Sequence, residues 1–445
     1  MKIAPVKGTR DFYPPDMAVR NWIIDGWKKV SVRNVFEEYD GPIFEYLKMF
    51  QIKSGDEIVE QLFSLQDRGG RDLALRPEIT PTLARMVNQR INSLPKPIKW
   101  FSVPRLFRAE RPQKGRLREF FQWNIDIIGL EDETGKVLAD AEVILTTVDY
   151  LRDIGLSGAD IQVRISSRRL LSAVLKKICV PEERLESLYI LLDKKARLPK
   201  ETFRELLNEQ VLNHQHVERI EAFMETKKVS DVKKVVQIDD EIDSALNEQA
   251  LLVDHLRRMG LIGYYCFDPS IVRGLAYYTG MVFEVHDKVG ELRAIAGGGR
   301  YDNLLKEFGG PEIAGTGMGM GDCVLEILLR EKDLIDKQLP KRCLDFFVAC
   351  VPMTTFEQDS EDREPIGEDE VIRLMATIRK AGYRANFSYK FGSLGKQLKE
   401  AYDQNAQKCI IIGDELKDNK LVVKDMVSGG QELVDYDDFW SRLKA

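Results

Sequence analysis

The chain is 445 residues long and 44% hydrophobic, and its 66 Lys and Arg face 72 Asp and Glu for a formal net charge of −6. That length exceeds what one hydrophobic core organises, so two or three domains are expected. No run reaches the roughly 18 uninterrupted apolar residues of a membrane span, and MKIAPVKGTRDFYPPD at the amino terminus lacks the apolar stretch of a signal peptide, which predicts a cytoplasmic protein with no membrane partner.

An amphipathic helix is predicted over 16–35, with Met17, Ile23, Ile24, Trp27 and Val30 on one side. WFSVPRLFRAE at 100–110 and EFFQWNIDIIG at 119–129 are β-rich runs joined by the polar RPQKGRLR, the pattern of an antiparallel hairpin with a long loop. Between 105 and 118 stand Arg105, Arg108, Arg111, Lys114, Arg116 and Arg118, opposed in that span only by Glu110, so an acidic protein carries a local basic patch suited to phosphates. From 168 to 260 the chain is charged and helix-periodic, whereas YYCFD at 264–268 and YYTGMVFEVHD at 277–287 return to strand. The helical block therefore reads as an insertion within one sheet domain. AIAGGGRYDNLL at 294–305 follows, and AGTGMGMGDCVLEILLREK at 314–332 reads as a glycine-rich strand entering a helix.

After a linker at 332–342 the character changes. CLDFFVACV, VIRLMATIRKAG, ANFSYK, LGKQLKEAYDQN, KCIIIGD and KLVVKD alternate strand and helix between 343 and 425, which predicts a separate α/β domain around a largely parallel sheet, with the acidic stretch 356–370 as a solvated loop.

Six scattered cysteines without a CxxC pair, and four histidines without HExxH, predict neither a disulfide framework nor a zinc site. The glycine-rich stretches match neither GxxxxGK[ST] nor GxGxxG, so neither an ordinary P-loop nor a dinucleotide fold is supported. What remains is a sheet that offers Arg108, Arg116, Arg118 and Arg273 to phosphate, and arginine suits that task because it stays charged and its fork bonds two oxygens at once.

FRAERPQKGRLREFFQ at 107–122 resembles the second signature motif of class II aminoacyl-tRNA ligases in its histidine-specific form. VKGTRDFYPPD at 6–16, LALRPEITPTLAR at 73–85, RGLAYYTGMVFE at 273–284 and AGGGRYDNLL at 296–305 join it in the order that histidine-tRNA ligases carry them. The resemblance covers essentially the whole chain. It implies an α+β fold in which 1–331 form a class II antiparallel-sheet catalytic domain, 168–260 its helical insertion and 343–445 a C-terminal α/β anticodon-binding domain.

The activity it implies is ATP-dependent attachment of L-histidine to tRNA(His) through histidyl-adenylate, with Mg2+ and a homodimer in which Pro42 of GPIFEY stands at the interface. Arg108 and Arg273 match the arginines that approach the reacting phosphate from opposite sides. Histidine recognition would fall to Glu78, Ile79, Thr80, Gln122, Asp126, Tyr277, Tyr278 and Tyr301 together with those two arginines. ATP would be held by Arg108, Glu110, Phe120 and Arg273, with the adenine on Phe120, and the tRNA acceptor end by Arg111, Gln113 and Arg116.

Two motifs depart from the family pattern. Gly321 and Asp322 stand where motif 3 ends in Glu-Arg, an arginine that clamps the nucleotide, and Ala276 stands where an acid is common. A reversed charge beside a polyphosphate weakens attraction unless Asp322 holds magnesium or another arginine substitutes. The alternative is a non-catalytic paralogue that senses histidine or regulates a partner enzyme of histidine biosynthesis; such relatives usually lack the anticodon domain and much of RGLAYYTG, and this chain keeps both.

Overall fold

The computed structural model describes residues 3–51, 61–195, 198–211, 213–273, 277–290, 292–340, 344–351 and 366–444. Ala276, and the part of the acidic stretch from 356 to 365, lie outside the described residues. The chain divides into a unit of residues 1–339 and a second of residues 340–445.

Among the described residues the first unit is built on a nine-stranded sheet. Its path runs β1 (Glu37–Glu38), β5 (Ile98–Ser102), β7 (Glu119–Leu130), β12 (Ala314–Gly321), β11 (Ala296–Tyr301), β10 (Met281–Asp287), β8 (Ile161–Ser167), β9 (Tyr265–Phe267), and β6 (Arg105–Phe107) pairs with β7 beside that path. A small sheet of β2 (Phe44–Tyr46), β4 (Asp72–Leu75) and β3 (Ser64–Gln66) stands apart from it. Pairing in the large sheet is antiparallel except for β1 with β5 and β8 with β9. The run expected as one strand over 100–110 is two. Pro104 has no N–H to give to a ladder, so β5 and β6 pair with separate stretches of β7, Ser102 reaching Asn124 and Arg105 reaching Phe121.

One face of the sheet is apolar. Trp123, Ile125 and Ile127 on β7, Met318 and Met320 on β12, and Phe283 and Val285 on β10 join one buried core, into which α1 (Pro14–Arg33) delivers Val19, Ile23, Trp27 and Val30 at three- and four-residue spacing. Met17 and Ile24, expected on the same stripe, are only half-buried at its edges. The Trp123 indole N–H donates to Ser31 Oγ at 2.8 Å. That bond fixes β7 against α1, and because strand residues alternate, Gln122, Asn124 and Asp126 must then face the other way.

The stretch 168–260 leaves the sheet after β8 and returns before β10, although β8 and β10 are paired neighbours. Its helices pack around their own core, with Leu188, Leu207, Val217 and Ile220 fully buried. A buried ion cluster ties it to the sheet: Arg300 on β11 donates Nε to Asp140 of α2 (Glu133–Asp153) at 3.0 Å and reaches Glu248 of α3 (Asp240–Arg258) at 2.8 Å. The stretch read as a linker contains a helix, Leu334–Gln338, held on the first unit by buried Ile335 and by Gln338 Nε2 donating to Ile154 O at 3.0 Å.

In the second unit the sheet order is β14 (Ala385–Phe387), β13 (Leu344–Cys350), β15 (Ala406–Ile412), β16 (Lys420–Asp425), β17 (Gln431–Asp435). The expected parallel pairing holds only for β13 with β14 and β15; β16 and β17 each run antiparallel to the strand before, because the turns that precede them, 413–419 with one 3-10 helix (Asp414–Asp418) and 426–430, are too short for a helical crossover. Asn419, at φ +57, supplies the left-handed residue that the first of those turns requires.

Candidate active site

Glycine clears the floor of the site. Gly297, Gly299 and Tyr301 share one face of β11, and Gly315, Gly317 and Gly319 share the same face of β12, with Gly297 beside Gly319, Gly299 beside Gly317 and Asp126 opposite Gly317. A Cβ on Gly297 would overlap Nη1 of Arg273, and one on Gly317 would overlap Oδ1 of Asp126. On Gly299 it would stand 2.8 Å from the Tyr278 ring, on Gly315 2.5 Å from that of Tyr301, and on Gly319 2.9 Å from the Gln122 amide. The glycine stretches that match no phosphate loop thus form bare sheet on which five candidate side chains lie.

Asp126 is 3% exposed. Tyr301 Oη donates to its Oδ1, and Oδ2 has no hydrogen-bond partner among the described residues. Burial raises this carboxyl to about 7, with the Tyr301 hydrogen bond pulling the other way. A buried acceptor left unpaired costs stability, so such a group marks a place for a donor; Asp126 lies against Gly317, next to Gly319 of the cleft that Arg108 and Arg273 line, and does not itself line that cleft. The Tyr277 and Tyr278 rings are 4.8 Å apart, Tyr277 meets Tyr301 edge-on at 6.0 Å, and Tyr277 Oη donates to Glu78 Oε2 at 3.4 Å. Ile79 is fully buried and packs among these rings. Thr80, half-buried, follows it at the start of the helix Thr80–Arg90.

Arg108 and Arg273 line one cleft of about 850 Å³ together with Glu110, Phe120 and Gln122. Arg108 follows β6, donates Nε to Pro77 O at 3.1 Å and lies 5.1 Å from the Phe120 ring centre. Burial lowers its pKa, Glu78 opposing, but an arginine so shifted stays charged at neutral pH. Arg273 takes φ +53, uncommon for a residue with a Cβ, and its guanidinium reaches Glu284 at 3.4 Å. Burial there is outweighed by Tyr278 and Glu284, and its pKa rises. Arg108 follows β6, which pairs with β7, and the Arg273 guanidinium lies over Gly297 of β11, on the far side of β12.

The basic patch is narrower than its sequence implies. Arg105 pairs with Glu119 at 2.7 Å, Lys114 with Glu331 at 3.3 Å, and Arg116 with Glu110. Arg116 lines the cleft, whereas Arg111 and Gln113 are exposed and do not. Asp322, the first residue of α4 (Asp322–Glu331), is buried. Its Oδ2 meets Arg10 Nη2 at 2.5 Å and its Oδ1 accepts the Phe121 backbone N–H at 3.0 Å. Gly321, Cys323 and Val324 line the cleft, and Asp322 does not.

A family model of histidyl-tRNA synthetase matches residues 8–321, and one of an anticodon binding domain matches 347–445. The chain belongs to the histidyl-tRNA synthetase family. Among relatives in that family, a chloroplastic/mitochondrial histidine-tRNA ligase of Arabidopsis thaliana is 36% identical over 98% of this chain and 86% of its own length. A histidine-tRNA ligase of Opitutus terrae is 36% identical over 95% of this chain and 93% of its own. The crystal structure of histidyl-tRNA synthetase from Nostoc superposes with a TM-score of 0.79 over 100% of this chain and 99% of that one; at 23% identity it speaks to the fold.

Several histidyl-tRNA synthetase site features escaped the sequence reading. Glu284 carried a legible signal, since it alternates with the apolar Phe283 and Val285 on β10 and so had to face away from the core, opposite Gly297. Arg10 carried none, because nothing local connects it to a residue 312 positions away. Asp193 and Lys195 of the insertion also line the cleft, and only tertiary packing brings them there.

Proposed function

We propose that the chain attaches L-histidine to tRNA(His) in two steps. The histidine carboxylate attacks the α-phosphorus of ATP, forming the acyl-phosphate bond of histidyl-adenylate as pyrophosphate leaves. A ribose hydroxyl of the terminal tRNA adenosine then attacks the acyl carbon, and AMP leaves. The observation that carries this reading is the buried, unpartnered Oδ2 of Asp126 beside a cleft flanked by two arginines. An imidazole N–H satisfies that oxygen, Tyr278 serves the other ring nitrogen, and Glu78, Thr80 and Gln122 receive the ammonium group. A site built to bond polar edges rejects amino acids that leave its groups unpaired.

Arg108 and Arg273 hold the α-phosphate and the attacking carboxylate from two sides, positioning the reactants and stabilising the charge that develops. Phe120 offers its face to adenine. Arg111, Gln113 and Arg116 meet the acceptor end, and the second unit reads the anticodon. Magnesium fits as an ion arriving with ATP and neutralising its phosphates: Glu110 lines the cleft with Oε1 buried and unpartnered, and among the described residues no three His, Cys, Asp or Glu form a cage. Asp322 does not fit as its ligand, being committed to Arg10 and Phe121.

Ile43, Phe44, Tyr46 and Leu65 are about half exposed next to Pro42, an apolar surface that a second copy would cover in a homodimer. Among the described residues no helix is long and apolar enough to cross a membrane, and a cytoplasmic location is proposed with the activity. Histidine-dependent ATP–pyrophosphate exchange tests the reading. Folded protein that binds histidine yet shows no exchange would instead support a regulatory role.

A further inference from the structure

A polyphosphate in the cleft needs cations at its far end as well as at the α-phosphorus. The start of α4 supplies none, because Asp322 is turned into the protein by Arg10 and the Phe121 N–H. The loop between β6 and β7 lies against that same helix start. Gly115, at φ +73, is so close that a Cβ would stand 2.9 Å from Val324 Cγ2, and Gln113 and Arg116 close the loop tip through two backbone hydrogen bonds of 2.9 Å. Onto this tip comes Arg293, from the segment that enters β11. Its Nη2 donates to Oε1 of Gln113, and Arg293 lines the cleft with Arg116, Gly321 and Val324.

The geometry points to Arg293 as the residue that binds the β- and γ-phosphates of ATP, at the wall where residue 322 offers no positive charge. This rests on the reading of the cleft as an ATP site. A guanidinium there bonds two phosphate oxygens at once, which an ammonium group does less well, and the neighbouring Arg116 is already paired with Glu110. The assignment gives Arg293 no part in holding the adenosine or the α-phosphate, which lie at Phe120 and Arg108.

The test is calorimetric binding of ATP and of AMP to the full chain, wild type and Arg293→Ala, with the ATP KM of histidine-dependent exchange alongside. Arg293→Ala should weaken ATP binding and raise its KM by about 10- to 100-fold, the range for a lost charge-assisted bond pair, and leave AMP affinity within about twofold. Arg293→Lys should recover part of the loss. An unchanged ATP-to-AMP affinity ratio would overturn the assignment, as would equal weakening of both nucleotides, which marks a merely structural role. A wild-type chain that binds both nucleotides but performs no exchange would sink the proposed reaction while the affinity ratio still judged Arg293.

Discussion

Asp126→Asn should make the protein more stable and less active, and the stability gain should depend on pH. An unfolded chain ionises this carboxyl near 3.9, whereas the folded protein, by burial, keeps its proton up to about 7. Between those values the folded state binds more protons than the unfolded one, so stability falls as pH rises, and the loss is complete above about pH 7. Asparagine keeps the shape, and its Oδ1 still accepts from Tyr301, but it carries no charge. The stability of Asp126→Asn relative to wild type should therefore grow by about 3 kcal/mol between pH 5 and pH 8, on the order of 1.4 kcal/mol for each pH unit below 7. Urea denaturation followed by tryptophan fluorescence measures this, in a Trp440→Phe background so that only the first unit reports. In exchange assays the same variant should raise the histidine KM by about 100-fold or more, because its amide presents a donor where the imidazole N–H needs an acceptor. A pH-independent stability difference would refute the buried charge, and an unchanged histidine KM would refute the role in recognition.

Arg108→Ala should lower the exchange kcat by about 100- to 1000-fold with the fold intact by circular dichroism, the usual loss for one preorganised group at a developing charge. Gly297→Ala and Gly317→Ala should differ in kind. The first displaces the flexible end of Arg273 and should cost roughly 100-fold in kcat with little change in urea midpoint, whereas the second also meets the Ile125 carbonyl at 2.8 Å and should destabilise by about 1–3 kcal/mol. Arg300→Met strands Asp140 as a buried carboxylate, while Glu248 keeps Arg169, and should cost about 3–5 kcal/mol in denaturant unfolding. Arg10→Ala should lower stability through Asp322, and Arg10→Ala with Asp322→Asn should recover much of that loss in a double-mutant cycle.

Local pattern carried much of this protein. The β-rich runs around RPQKGRLR, the helix-periodic block from 168 to 260 and the strand-helix alternation after 343 are short-range signals, and the order of five motifs points to one family. Pairing was harder to read. The strand expected over 100–110 broke at Pro104, and the second unit's sheet is antiparallel on one side, since which strands become neighbours depends on turns whose geometry composition specifies weakly.

The site divides along the same line. The identity of its arginines, tyrosines and carboxylates, and the two-residue period of the glycines, were determined by the sequence alone. That Asp126 is buried with an oxygen unpaired, that Asp322 faces Arg10 and not the cleft, and that Arg293 reaches the loop tip were decided only by the tertiary structure. The physical reason is range. Alternation and helical period follow from bonds between near neighbours, but desolvation and charge pairing depend on whatever chain the fold brings within a few ångströms, and here that chain lies up to 312 residues away.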